Sequence, residues 1–186
     1  GGGAGSGGTA RPERRHPFTG AVPPACPRMV VMHISATNDF PQAVDEAFRM
    51  LTDRSFLDAV CRATGPLEYS AFVDGLLTGS RRVMPNHPSI KRFTGPTITV
   101  SDEIAWEAEP TSDGGRRGAT RVTVAGMPVE LLGTATLSAH GAGSLLRYEG
   151  ELTVAIPLFG PGLEKQAAPL LIEALNMQQQ VARTWP

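Results

Sequence analysis

Apolar and polar residues alternate along short consecutive segments in the middle of this 186-residue chain, and this alternation restricts the fold more than any other feature. The segments span residues 67–75, 78–85 and 96–109, and others follow as far as residue 156. Successive side chains of a β-strand point to opposite faces, so each segment predicts a strand with one apolar face. Turn-forming sequences such as AGMP and AHGAG separate the later segments and favour tight reversals. The chain therefore contains about six predicted antiparallel strands.

Two short helices are predicted before these strands. A β-rich run at residues 30–37 comes first. Apolar residues then recur from Val44 at positions i, i+3, i+4 and i+7, which predicts a helix that Asn38 or Asp39 caps. Asp53 is expected to cap the second helix, because it directly precedes another stretch with the same spacing.

A long helix is predicted at the C-terminal end, after the Gly-Pro-Gly sequence of residues 160–162. Its apolar residues recur every three to four positions and include Leu163, Leu171 and Leu175. An antiparallel sheet with one apolar face needs a cover on that face. We therefore expect the Gly-Pro-Gly corner to direct this helix across the concave face of the sheet.

This order of elements, together with four stretches of sequence, resembles the START-like superfamily, which includes polyketide cyclases and lipid-transfer domains. The stretches are LTDRSF, IAWEAE, GMPVELLGTATL and IPLFGPGLEK, and the likeness covers about residues 30–186. Within the superfamily, the chain is similar to an uncharacterised bacterial START-like family of unknown function.

The resemblance implies an α+β helix-grip fold. Such a fold has a curved antiparallel sheet of about six to seven strands, two short helices after the first strand, and a long C-terminal helix that covers the concave face. The resemblance also implies a cavity between sheet and helix that accepts an apolar or aromatic ligand. It transfers no catalytic residue, because likeness of fold alone does not establish function.

The first 28 residues differ in composition from the remainder. They contain the low-complexity stretch GGGAGSGG, several prolines, and four arginines against one glutamate. They have no helical or strand periodicity and no continuous apolar run typical of a signal peptide. We expect a disordered tail at residues 1–28 and a helix-grip domain at residues 29–186. Because the sequence begins with Gly1, a translation start at Met29 is an alternative.

The net charge of −1 and the 41% hydrophobic content are typical of a globular protein that has no nucleic-acid partner. No stretch is long and apolar enough to predict an integral membrane segment. Cys26 and Cys61 lack the spacing of a disulfide framework, so we predict a reducing, cytoplasmic location. The four histidines are scattered without metal-ligand spacing, and neither a metal nor a cofactor is expected.

Residues on the predicted apolar face of the sheet are the candidate ligand contacts. Asp102 shares this face with apolar neighbours on its strand, so it could anchor or activate a ligand; a bulge that turns it outward is the alternative. Tyr69 and Tyr148 lie on predicted inner faces, and one or the other is expected near Asp102 across the cavity, with ordinary core packing as the alternative. The candidate cavity residues are Tyr69, Val100, Asp102, Ile104, Trp106, Leu131, Tyr148, Leu171 and Leu175.

Four basic residues lie close together along the chain, namely Arg81, Arg82, Lys91 and Arg92. A solvated surface is the expected role of this cluster, and binding of an anionic ligand head is the alternative. His33 is expected to be an ordinary core or edge histidine rather than a general base.

Three hypotheses for function follow. The leading one is non-catalytic binding of a small hydrophobic ligand, such as a lipid, polyketide-like or aromatic compound, between the sheet and the final helix. An enzyme of the cyclase or dehydratase kind, with Asp102 and a tyrosine in acid–base roles, is the alternative. A protein-interaction module with a filled core is the second alternative. The sequence contains neither a G-x-S-x-G nucleophile motif nor a dinucleotide fingerprint after the first strand.

Overall fold

The computed structural model describes residues 29–86, 88, 91, 95–155 and 162–186, without the side chains of residues 30 and 162–171. In this part of the chain, seven strands and three helices follow one another. The predicted tail at residues 1–28 and most of the predicted Gly-Pro-Gly corner lie outside the described residues. The elements are β1 (Val30–Phe40), α1 (Val44–Leu51), α2 (Arg54–Ala63), β2 (Glu68–Asp74), β3 (Leu77–Pro85), β4 (Thr97–Trp106), β5 (Arg116–Val124), β6 (Val129–His140), β7 (Gly143–Val154) and α3 (Gly162–Ala182).

The strands form one antiparallel sheet in the order β1-β7-β6-β5-β4-β3-β2. Strands β1 and β2 therefore lie at its two edges, and β5 lies between β6 and β4. The predicted α+β architecture is confirmed: two short helices follow the first strand, and a long helix ends the chain.

The start of the first helix differs from the prediction. Strand β1 continues to Phe40, so Asn38 and Asp39 pair with β7 and do not cap α1. Helix α1 begins at Val44 without a side-chain cap. Long-range pairing with β7 supplies more backbone hydrogen bonds to this segment than a local cap would. The prediction for α2 is confirmed, because the Asp53 carboxylate accepts hydrogen bonds from two backbone N–H groups at its N-terminus.

Glycines allow the sheet to curve where β6 and β7 meet. Gly133 and Gly150 are directly opposite each other in the pairing. A Cβ atom on Gly133 would overlap the Glu149 carbonyl oxygen, and one on Gly150 would lie 2.6 Å from the Leu132 carbonyl oxygen. Only glycine allows the two backbones to approach this closely, as is common where a sheet bends.

The helices cover one face of the sheet, which we call the concave face. Helix α2 packs against β2 and β3, and α3 packs against β1 at the opposite side. On α3, Ile172 contacts a core cluster that includes Ile34 and Leu131. The two helices meet where the rings of Phe56 and Trp185 stack edge to face, 5.2 Å apart. Strand β4 lies between the two covered sides of the sheet.

Candidate functional site

The pairing of β4 with its neighbours places Asp102 on the concave face. Asp102 is opposite Ser80 on β3 and Val122 on β5, and Val122 is in turn opposite Leu131 on β6. Residues directly opposite in an antiparallel pair share a face of the sheet. Because Leu131 belongs to the core cluster that α3 contacts, Asp102 faces the same side as that helix.

The concave face is less buried along much of β4 than in the central part of β6 and β7. On β6 and β7, the concave side chains of Leu131, Tyr148 and Leu152 are buried. The corresponding positions in mid-sheet on β4 are only half-buried, although β4 has a strand on each side. We call this half-buried stretch of the concave face, formed by Ile98, Val100, Asp102 and Ile104, the β4 hollow.

A partly buried ion pair lies in the β4 hollow. The Oδ1 atom of Asp102 accepts a hydrogen bond from the Ser80 hydroxyl at 2.6 Å and another from Arg82 Nη2 at 2.7 Å. The Arg82 side chain is 12% exposed and that of Asp102 is 33% exposed. Among the described residues, Asp102 Oδ2 receives no hydrogen bond, and the buried Nε atom of Arg82 has no partner.

The basic cluster expected at the surface is divided by the sheet. Arg81 and Lys91 are exposed, whereas Arg82 points into the concave face and pairs with Asp102. The prediction of a solvated role is therefore wrong for Arg82, because successive residues of β3 point to opposite faces. Arg92 lies outside the described residues. The two-residue alternation of β3 was the sequence signal that could have separated Arg82 from Arg81, since it places Arg82 on the same face as Ser80.

Cys61 of α2 lies beside this ion pair and was not among the predicted site residues. Burial raises the pKa of its thiol, while the Ser80 hydroxyl and the charge of Arg82 partly oppose that shift. The side chain is buried, so Cys61 is a neutral packing group next to Ser80 rather than a nucleophile.

A second polar cluster, the helix clamp, joins α3 to the sheet and consists of Asn38, Gln42, Tyr148 and Gln178. The Tyr148 hydroxyl donates to Gln178 Oε1 at 2.7 Å, and Asn38 Nδ2 donates to the Leu175 carbonyl oxygen at 2.8 Å. Gln42 Nε2 donates to the carbonyl oxygen of Ala182 at 3.1 Å. Burial raises the pKa of Tyr148 far above its usual range, and the hydrogen bond to Gln178 only partly offsets this. Tyr148 therefore remains a protonated donor that positions α3.

The remaining candidate residues occupy different environments. Tyr69 shares the concave face with its partner Arg82, but it is 37% exposed, whereas Ala71 on the same strand is buried. Trp106 is buried against Phe48 in an edge-to-face contact at 5.4 Å, and its Nε1 has no partner among the described residues. Leu175 packs against the larger core cluster. The side chain of Leu171 lies outside the described residues.

No three His, Cys, Asp or Glu side chains in the described ranges are close enough together to hold a metal ion. None of the helices in the described part of the chain combines the length and apolarity needed to cross a bilayer.

Comparison with known proteins extends these observations. A family model described as "Protein of unknown function (DUF2505)" matches residues 35–185. Among curated proteins, none matches this chain.

Several solved structures are similar to this chain, and three of them illustrate the likeness. An uncharacterised protein from Rhizobium leguminosarum has a TM-score of 0.57 and 9% identity, over 85% of this chain and 98% of that one. Norcoclaurine synthase from Thalictrum flavum has a TM-score of 0.51 and 14% identity, over 95% and 98% of the two chains. A START superfamily protein from Mycobacterium smegmatis has a TM-score of 0.48 and 12% identity, over 84% and 97%. The first two share the fold of this chain, and the START-like helix-grip fold expected from the sequence is confirmed.

Proposed function

Because the chain belongs to the DUF2505 family of proteins of unknown function, its role has to be inferred from its own residues, and we propose that it binds a small hydrophobic molecule in the β4 hollow. The observation that carries this proposal is the half-burial of Ile98, Val100 and Ile104 on the concave face of β4, whereas Leu131, Tyr148 and Leu152 on β6 and β7 are buried. Apolar side chains at such a position gain about 25 cal/mol for each Å² that a ligand removes from water.

The composition of the hollow favours a ligand that is mainly apolar. Val100 and Ile104 lie on either side of Asp102 along β4, so the ion pair is a single polar point within an apolar lining. Binding pockets for small molecules commonly combine an apolar lining with a few polar groups that orient the ligand. A lipid, a polyketide-like compound or an aromatic compound has this chemistry.

The arrangement of side chains favours binding over acid–base catalysis. The Tyr148 hydroxyl donates a hydrogen bond to Gln178, and the raised pKa of Tyr148 keeps this hydroxyl protonated. One oxygen of Asp102 already accepts from Ser80 and Arg82. A general acid or base needs a proton-transfer partner within hydrogen-bonding reach of its substrate. The cyclase or dehydratase hypothesis therefore cannot use Tyr148 in an acid–base role, which leaves Tyr69 as the tyrosine on the concave face.

We also propose that residues 29–186 form the ligand-binding unit and that the protein acts in the cytoplasm. The β4 hollow and both helices that flank it lie within this range. A reducing location suits Cys61, which is a buried free thiol.

Blocking the hollow tests the proposal. In the Val100→Trp variant, a large ring should occupy the space above β4 and weaken binding of the neutral fluorescent probe N-phenyl-1-naphthylamine by about tenfold or more. Ser101→Trp is the matched control, because Ser101 is adjacent in sequence, is also half-buried, and faces the convex side. Fluorescence titration measures both affinities. Absence of probe binding to the unmodified protein, or equal loss in both variants, would contradict the proposal.

Purification of the protein from its own host supplies an independent measurement. Native mass spectrometry should show an added mass, and solvent extraction should release an apolar compound. In the Val100→Trp variant the added mass should disappear, whereas Ser101→Trp should retain it.

A further inference from the structure

The Arg82–Asp102 pair retains unused hydrogen-bonding capacity on both partners. An ionised carboxylate accepts on two oxygens, and a guanidinium carries five N–H donors. Asp102 uses Oδ1 for both of its bonds, and within the described residues Oδ2 accepts none. Arg82 uses only Nη2, and its buried Nε has no partner in the same part of the chain. The pair therefore has an acceptor and donors that the described protein groups do not use.

The same pair carries no net charge. The positive guanidinium and the negative carboxylate are 2.7 Å apart, so their fields largely cancel for a third group placed beside them. Ser80 and Cys61, which lie next to the pair, are neutral. A charged ligand head would lose its hydration on entering the hollow, and the attraction of one partner would be opposed by repulsion from the other.

We propose that the ligand of the β4 hollow has a neutral polar head that both donates and accepts a hydrogen bond, such as the hydroxyl of an alcohol or phenol; this rests on the proposed function. The head donates to Asp102 Oδ2 and accepts from a free N–H of Arg82. The apolar body of the ligand then contacts Val100 and Ile104, which lie on either side of Asp102 along β4.

Three probes with the same ten-carbon chain test this inference. 1-Decanol is neutral, decanoate is negative and decylammonium is positive at neutral pH. Each is titrated against the protein with N-phenyl-1-naphthylamine bound, and its displacement of the probe is measured. We expect 1-decanol to bind about tenfold or more tighter than either ion, a difference in the range of one buried polar contact.

Two variants sharpen the test because each leaves one charge unpaired. Asp102→Leu leaves Arg82 alone, so the preference should change to decanoate. Arg82→Met leaves Asp102 alone, so the preference should change to decylammonium. The matched controls are Glu130→Leu and Arg121→Met, which disrupt an ion pair of the same 2.7 Å length on the convex face. These controls should retain the preference for 1-decanol.

The outcomes separate this inference from the proposed function. If N-phenyl-1-naphthylamine binds and either ion displaces it as well as 1-decanol does, the neutral-head inference is wrong and the binding function stands. If the fluorescent probe does not bind and no added mass is found on the host-purified protein, both are wrong. The ranking of the three probes on the unmodified protein decides the matter even where a variant fails to fold.

Discussion

The concave face carries two polar clusters that differ in what they connect. In the helix clamp, donors and acceptors come from opposite elements, so Tyr148 and Asn38 on the sheet bond to Gln178 and the backbone of α3. In the Arg82–Asp102 pair, both partners belong to neighbouring strands of the sheet. One cluster therefore holds α3 against the sheet, and the other connects two strands within the sheet.

Burial explains why the clusters serve different purposes. Asn38 and Tyr148 are buried, so a lost partner there costs the desolvation penalty of a polar group, about 1–3 kcal/mol. Asp102 is one-third exposed, and solvent screens part of its interaction with Arg82. We infer that changes to the helix clamp affect mainly stability, whereas changes to the Arg82–Asp102 pair affect mainly ligand affinity.

Removal of the helix that the clamp holds should have the largest effect. Truncation before Leu163 removes Gln178 and Trp185 and exposes the buried concave face of β6 and β7. Large exposed apolar patches promote aggregation. We expect loss of cooperative unfolding by circular dichroism and of the monomer peak in size-exclusion chromatography. A soluble truncated chain with a sharp melting transition would show that α3 is not the cover of the sheet.

A single change within the clamp should have a smaller effect. Tyr148→Phe removes the donor to Gln178 Oε1 and should lower the free energy of unfolding by about 1–3 kcal/mol. Urea denaturation measures the difference. Tyr69→Phe, the control at the exposed tyrosine, should stay within about 0.5 kcal/mol of the unmodified protein. Equal effects at the two sites would remove the distinction between clamp and surface.

The same tyrosine should make stability depend on alkaline pH. Burial raises the pKa of Tyr148 in the folded protein, so the protonated form is favoured there more than in the unfolded chain. Its contribution is complete below the unfolded pKa of about 10 and falls by about 1.4 kcal/mol for each pH unit above that value. Urea denaturation at several alkaline pH values should show this slope. The decrease in stability with rising pH should be absent in the Tyr148→Phe variant and unchanged in the Tyr69→Phe variant.

The ion pair should have a smaller influence on stability than the clamp. In a double-mutant cycle, Arg82→Met and Asp102→Leu should show a coupling energy of about 1 kcal/mol, because the pair is partly screened. The corresponding cycle for the exposed Arg121–Glu130 pair should give about 0.5 kcal/mol or less. A coupling energy above the loss of stability measured for Tyr148→Phe would assign the pair to the structural core instead of the binding site.

Deletion of residues 1–28 should have the smallest effect. The segment has no apolar pattern, and the sequence predicts that it contributes little to folding. The melting temperature and the affinity for N-phenyl-1-naphthylamine should both remain close to those of the full chain, the former within about two degrees. A large fall in either would mean that the tail packs on the domain.

Properties that depend on a local repeat were determined by the sequence alone. The alternation in β4 places Asp102 and Trp106 on one face without knowledge of any neighbouring strand, because the two-residue period is intrinsic to an extended chain. The cap at Asp53 was equally predictable, since it involves only the next three residues. The apolar face of the sheet likewise required a cover, and the apolar stripe of the C-terminal helix predicted which element supplies it.

Properties that depend on which strands are neighbours were decided only by the tertiary structure. Tyr69 has the parity of a concave residue but is exposed, whereas Ala71, two residues further along β2, is buried. Asn38 belongs to a strand and to the helix clamp, although its local sequence favours a cap. The basic neighbours of Arg82 in the sequence predict a surface charge. The β3–β4 register brings it to Asp102, and no local pattern encodes that long-range pairing.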